Sequence, residues 1–315
     1  MPALFEPPHV AFEFAARHRT DGRRSPALDD SLARIRRGVY VRESEWTGLD
    51  PAARYRAFIL ATLACSPTSP LLSHLSAAVL WGLPVIGAWP NTVHTTILDQ
   101  SGGRSSGLYT RHRTSIPPEV ALLEGVRCTT LPRTVADIAR AGSRATALAM
   151  VDSILRDGRA DRAELLAADA ALGVGRGSRQ SRALLLLGSE QAANGGESLV
   201  RLLLHDAGLE APSLQFRIDD SGGLVGYADF AWPERGVVLE FDGRRKYTEQ
   251  RFLEGRTSDE VLWQEKRRED RIRAVGWMVV RVVWEDLQGS SPRLLRLIAE
   301  AGIPRRRQIG FEGAR

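Results

Sequence analysis

"VVLEFDGRRKY", residues 237–247, begins as a buried strand and yet carries two carboxylates within it. Val237, Val238, Leu239 and Phe241 suit a pleated, covered surface. Residues i and i+2 of a strand share a face, so Glu240 and Asp242 point one way and Leu239 and Phe241 the other. The preceding run "VGYADFAW" reads as a second strand, and the four-residue turn 233–236 between them places Trp232 opposite Val237. Counting on in that register sets Asp229 opposite Glu240, whereas a slip of one residue would send Asp229 to the other face. Like charges facing each other on a sheet are destabilising, and buried ones need compensation. Two compensations suit the residues about equally. One is an internal ion cluster with Arg217 of the neighbouring strand or with Lys246. The other is a divalent cation held by carboxylates, with Lys246 stabilising charge beside it.

Outward from this hairpin the chain supplies a complete α/β pattern, mixed α+β in kind. "ESLVRLLLHDAGL" reads as a helix from Glu197 to Gly208 with Leu199, Leu202 and Leu203 on one face. "SLQFRI" is a strand ahead of the turn at 220–223. After the hairpin come the charged helix "SDEVLWQEKRREDRIRAVG", the strand "WMVVRVVW" and the helix "SPRLLRLIAEAG". The order α-β-β-β-α-β-α predicts a mixed sheet covered by helices over residues 195–303, with a basic tail at 304–315. Lys266 and Arg273 lie two turns apart on the charged helix and can face the site or a phosphate backbone, while most of "EKRRED" reads as a salt-bridged solvated face.

The earlier part of the chain is expected to be mainly helical. Residues 27–46 read as a short helix turning through Arg36, Arg37 and Gly38 into a strand at 39–42, and this basic corner suits a solvated turn at least as well as a contact to DNA phosphates. Helices are expected over "PAARYRAFILATLAC", with Pro51 following Asp50, over "SHLSAAVLWGL", and over "TTLPRTVADIAR", with Thr130 as its cap. "NTVHTTIL" and "GLYTRHRT" read as strands around the Gly/Ser turn 101–107. His74, Arg133 and Asp137 sit in apolar surroundings and favour an internal ion pair or a capping role over catalysis. The Gly/Ser/Arg-rich stretch 173–194 reads as the linker between the parts.

Of the 315 residues 43% are hydrophobic and 26% charged, the balance of a soluble globular protein. The longest apolar run, "AFILATLAC", is far too short to span a membrane, and "MPALFEPPHVAFEF" lacks the order of an export signal, so a cytoplasmic location with no membrane partner is expected. Cys65 and Cys128 form no zinc or disulfide pattern. The net charge of +5 lies wholly before residue 196, where 23 arginines face 18 acids; after it 18 arginines and 2 lysines balance 20 acids. Lys246 and Lys266 are the only lysines in a chain of 43 basic residues, and a compact ammonium is not interchangeable with a guanidinium.

The run of Glu197, Asp229, Glu240-Phe241-Asp242-Gly243 and "EKRREDRIRAVGWMVVRVVWEDL" resembles the PD-(D/E)XK nuclease superfamily. More narrowly it resembles the Vsr-like branch, the type of domain of unknown function 559, over about residues 195–290. The resemblance implies a restriction-endonuclease-like αβββαβ domain that hydrolyses DNA phosphodiesters with Mg²⁺ or Mn²⁺. It assigns Asp229, Glu240 and Asp242 to the metal, Glu197 to assisting it, and Lys246 to the basic role, since Asp242 stands where the superfamily has lysine. "RIRRGVYV", "SHLSAAVLWGLP" and "TTLPRTVADIAR" resemble AbiEi-type antitoxins of type IV toxin-antitoxin systems. That likeness implies a degenerate winged helix within 1–50, an antitoxin-like region over 51–172 and a partner protein of such a system. The alternative is a non-catalytic DNA-binding regulator or antitoxin that keeps the nuclease fold as a scaffold.

Overall fold

The computed structural model describes residues 11–22, 24–98, 107–243 and 258–306, in two units that divide between Gly188 and Ser189. The architecture is mixed α and β. Among the described residues no helix is long and apolar enough to cross a membrane.

The first unit opens with β1 (Glu13–Phe14), α1 (Ala15–Thr20), β2 (Leu32–Arg36) and β3 (Val39–Arg42), and its strands pair in the order β1-β3-β2. Here the structure corrects the helix expected before residue 39, because 32–36 is a strand. Arg37 and Gly38 make a tight turn, with Gly38 at φ +81°, which folds β2 back onto β3. The cross-strand hydrogen bonds outweigh a local helical preference too short to stand alone. Arg36 donates to the carbonyl of Thr62 at 3.2 Å, and Arg37 is exposed in the turn.

Next come α2 (Glu43–Gly48), α3 (Pro51–Ala64) and α4 (His74–Leu80). The Asp50 carboxylate accepts the Ala53 N–H at 2.9 Å, with Pro51 in the first turn where its missing N–H costs nothing. Strands β4 (Val93–Leu98) and β5 (Tyr109–Thr114) pair in parallel, and β6 (Val120–Leu123) with β7 (Val126–Thr129) forms a hairpin. Helices α5 (Leu131–Ala141), α6 (Arg144–Arg156), α7 (Arg162–Ala171) and α8 (Ser178–Leu187) complete the unit. Thr130 occupies the cap position of α5, but its side chain makes no capping bond. Arg133 and Asp137 pair at 2.9 Å within α5, both buried, which is the internal ion pair that their apolar setting suggests. Helix α8, inside the stretch expected to be a linker, packs on α5, α6 and α7, so only its far end joins the units.

The second unit has the expected element order. Helix α9 (Gly195–Asp206) precedes β8 (Ser213–Asp220), β9 (Gly223–Trp232) and β10 (Val237–Asp242). Then follow α10 (Ser258–Ala274), β11 (Met278–Val283) and α11 (Pro292–Glu300). The sheet order is β11-β10-β9-β8, with β10 and β11 parallel and the other pairs antiparallel. Two apolar layers follow from the alternation. Leu239, Phe241, Phe230 and Val282 pack against Val200 and Leu204 of α9 and Leu294 and Ile298 of α11. On the other face Val238, Ala231 and Val279 pack against Ile272 of α10. Glu240 shares the second face with Val238 and therefore lies under α10.

Candidate functional site

The site begins where the β9–β10 ladder ends. The pairs Val237–Trp232, Val238–Ala231 and Leu239–Phe230 follow the register counted from the turn, in which Gly236 takes φ +61°. Beyond Leu239 the strands part. The Phe241 N–H donates to Asp229 Oδ2 at 2.8 Å, so a side-chain carboxylate stands where a ladder carbonyl would. Asp229 thereby fixes the end of β10 and keeps its charge beside Glu240.

The parted strands, α10 and β11 enclose a cavity of about 300 Å³. Asp229, Glu240, Asp242 and Glu265 line it together with Arg268 and Arg281. Four carboxylates against two guanidiniums leave a formal excess of two negative charges. Glu240 is the most buried of the carboxylates, 8% exposed. Arg268 approaches its Oε1 at 3.0 Å and Arg281 its Oε2 at 3.4 Å. Burial pushes the Glu240 carboxyl above its ordinary value; the two arginines pull it back, and Asp229 and Glu265 add to the rise. Oε1 is buried and accepts no well-directed hydrogen bond, although the Arg268 Nη2 that donates to the Tyr227 carbonyl at 2.7 Å stands 3.0 Å from it as an ion-pair partner. Arg268 reaches that carbonyl past Gly226, where a Cβ would fall 2.7 Å from its Nε.

These arginines are the compensation that sequence reasoning did not name. Arg281 faces Glu240 across the parallel ladder and also pairs with Glu269 at 2.9 Å. It is the one polar residue in "MVVRVV", a visible signal, but its partner across a parallel crossover cannot be counted from a turn. Arg268 sits four residues before the buried Ile272, so it belongs to the inward face of α10 and not to the solvated one.

Other anticipated residues lie elsewhere. Arg217 pairs with Asp219 at 2.8 Å on the exposed surface of β8 and takes no part in the cluster. Glu197 is buried in the first turn of α9 and does not line the cavity. Its carboxylate accepts from the Ala193 N–H at 2.8 Å, Asn194 Nδ2 at 2.6 Å and Gln215 Nε2 at 3.3 Å. Lys266 is exposed, and Arg273 bonds to Glu269 at 2.8 Å and to the Val279 carbonyl at 3.3 Å. Lys246 and the basic tail from residue 307 lie outside the described residues.

No three His, Cys, Asp or Glu side chains among the described residues are gathered as a preformed metal group. Mg²⁺, however, takes one or two carboxylates and fills its remaining positions with water and phosphate oxygens. The hard oxygen donors, the excess negative charge and the hydrogen-bond-free Oε1 of Glu240 fit such an ion in kind.

No family model matches the chain. It is similar to two curated proteins of Mycobacterium tuberculosis, the uncharacterized protein MT2308 of strain CDC 1551 / Oshkosh and the uncharacterized protein Rv2248 of strain ATCC 25618 / H37Rv. Each is 30% identical over 227 residues, covering 71% of this chain and 78% of the relative.

Proposed function

The chain belongs to the family of these two mycobacterial proteins, and we propose that it is a cytoplasmic, Mg²⁺- or Mn²⁺-dependent endonuclease acting on DNA phosphodiesters. The observation that carries the reading is the acidic cavity at the point where β9 and β10 part, with Asp229, Glu240 and Asp242 on one wall. The α-β-β-β-α-β order around it supports a restriction-endonuclease-like core. Asp229 and Glu240 would hold the ion, with Asp242 beside them. When bound, the ion supplies Lewis-acid stabilisation of the phosphoryl oxygens and activates water. The chain's own residues do the rest. The Phe241 N–H holds Asp229 in place, Arg281 carries positive charge at the rim for a phosphate, and Glu197 braces the α9 entrance that packs on Phe241. Lys246, three residues past Gly243, is assigned the basic role. The first unit carries the antitoxin-like part of the reading, with a partner protein of a toxin-antitoxin system.

A second reading has its own observation. Glu240 is already paired with Arg268 and Arg281, so this buried carboxylate is compensated without a metal, as in a DNA-binding regulator that keeps the fold as a scaffold. Incubating the purified full chain with supercoiled DNA, with and without chelator, separates the two. The nuclease reading expects nicking that needs Mg²⁺ or Mn²⁺ and is lost in Glu240→Gln. Salt-sensitive DNA association with no nicking under any metal supports the regulator.

A further inference from the structure

A second cavity lies entirely within the first unit, with a volume of about 690 Å³, the size range of small-molecule sites. Its lining has the opposite electrostatic character to the acidic site. Five arginines, at 111, 113, 133, 140 and 176, stand against the single carboxylate of Asp137. Two of them are distinctive. Arg133 is 8% exposed, and its Nε is fixed to Asp137 Oδ1 at 2.9 Å, which orients the guanidinium while its two terminal nitrogens make no hydrogen bond among the described residues. Arg140, by contrast, is committed to Asp169 and to backbone carbonyls. Arg176 is exposed at the rim and has no ion pair among the described residues.

Independent signs of a ligand lie in the same lining. Thr96 Oγ1 and Asp137 Oδ2 are buried polar atoms with no hydrogen-bond partner, on residues that are each 7% exposed. Such atoms are uncommon unless something outside the chain satisfies them. His74 takes φ +48°, a left-handed conformation that a non-glycine residue seldom adopts and that gathers at functional positions. Its ring stacks on His112 with centroids 3.4 Å apart and planes 12° from parallel, and His112 Nε2 meets His94 Nδ1 at 3.1 Å. Burial holds His74 well below its ordinary value and brings His112 to about 4, so the stacked rings are neutral near pH 7 and lie together without repulsion.

We propose that this cavity binds a phosphomonoester, with the terminal nitrogens of Arg133 and the guanidinium of Arg176 on the phosphate, Thr96 Oγ1 donating to it, and Asp137 Oδ2 accepting a hydroxyl of the group it esterifies. A guanidinium held at Nε and open at its other nitrogens offers the paired donors that match phosphate oxygens. The depth of Arg133 selects a terminal phosphate, because the bridging phosphates of a duplex lie on a convex surface that does not reach a residue so buried. The occupant is a free nucleotide or sugar phosphate, or the phosphorylated end of an oligonucleotide. The site is independent of the acidic cavity and of the nuclease reading.

The test is calorimetric titration of the full chain with inorganic phosphate, adenosine monophosphate and a short oligonucleotide with and without a terminal phosphate. Saturable binding that needs the phosphate is expected, and it should weaken by about tenfold in Arg176→Ala and in Arg133→Lys. Preference for adenosine monophosphate or for the phosphorylated oligonucleotide identifies the source. Thr96→Val and Arg176→Ala, neither of which unpairs Asp137, decide the matter if Arg133→Lys fails to fold. The proposal is overturned if no phosphate-bearing probe binds at millimolar concentration, or if Arg176→Ala and Thr96→Val both bind as the parent does.

Discussion

Replacing Asp229 by alanine removes two things at once, a charge facing the acidic cavity and the acceptor for the Phe241 N–H at 2.8 Å. Phe241 is 4% exposed, so its amide then loses its partner at a nearly buried position. An unsatisfied buried donor costs about 1–3 kcal/mol, with water entering the cavity favouring the lower end. For a unit of this size that corresponds to a fall of roughly 4–12 °C in melting temperature. Asp229→Asn retains a side-chain oxygen for the Phe241 amide while removing the charge and replacing the other oxygen by an NH2, so its loss should stay under about 1 kcal/mol. It also takes a like charge away from Glu240, one of the influences that raise that carboxyl. The assay is a thermal melt of the full chain, with metal-dependent nicking measured on the same samples. The expected pattern is a clear stability gap between the two variants and loss of nicking in both. Equal melting temperatures would refute the hydrogen-bond argument, and nicking retained in Asp229→Asn would refute the ligand assignment.

Further expectations concern the same unit. Burial raises Glu240 above its ordinary value of 4.5, so the native state holds this proton more tightly and the group's contribution to stability is lost as pH rises through the raised value. Glu240→Gln should flatten that limb of a plot of urea midpoint against pH, and parallel curves for parent and variant would contradict the assignment. Arg268→Gln leaves Glu240 with Arg281 alone and should cost roughly 1–3 kcal/mol, given the partial exposure of the pair. If Glu240 binds Mg²⁺, the ion should raise the melting temperature of this variant more than that of the parent. A Cβ on Gly196 would lie 2.0 Å from Phe241 Cε1, so Gly196→Ala should destabilise by about 1–3 kcal/mol in a denaturant titration. A neutral effect there would mean that α9 shifts without cost.

The legible part of the fold was the part governed by short-range rules. The period-two alternation in 237–242 and the four-residue turn before it were enough to place Glu240 and Asp242 on one face and Trp232 against Val237. Asp50 followed by Pro51 marked the start of α3 for the same local reason. Failures came where the partner is distant or the run is short. Residues 32–36 carry an ambiguous five-residue pattern, and pairing with β3 made them a strand. The Asp229–Glu240 pairing expected next in the ladder gave way to a side-chain bond to the Phe241 amide.

By itself, then, the sequence put Glu240 and Asp242 on one face and brought Asp229 near them in the register counted from the turn, because strand periodicity and turn length act over a dozen residues. Only the tertiary structure decided what neutralises them. Arg281 arrives by a parallel crossover and Arg268 from the inward face of α10, and neither distance follows from local spacing. The same holds for the stacked His74 and His112 and the open guanidinium of Arg133, which three separate elements bring to one cavity. Burial in such a place depends on what packs above it, and that is a property of the folded chain and not of any segment.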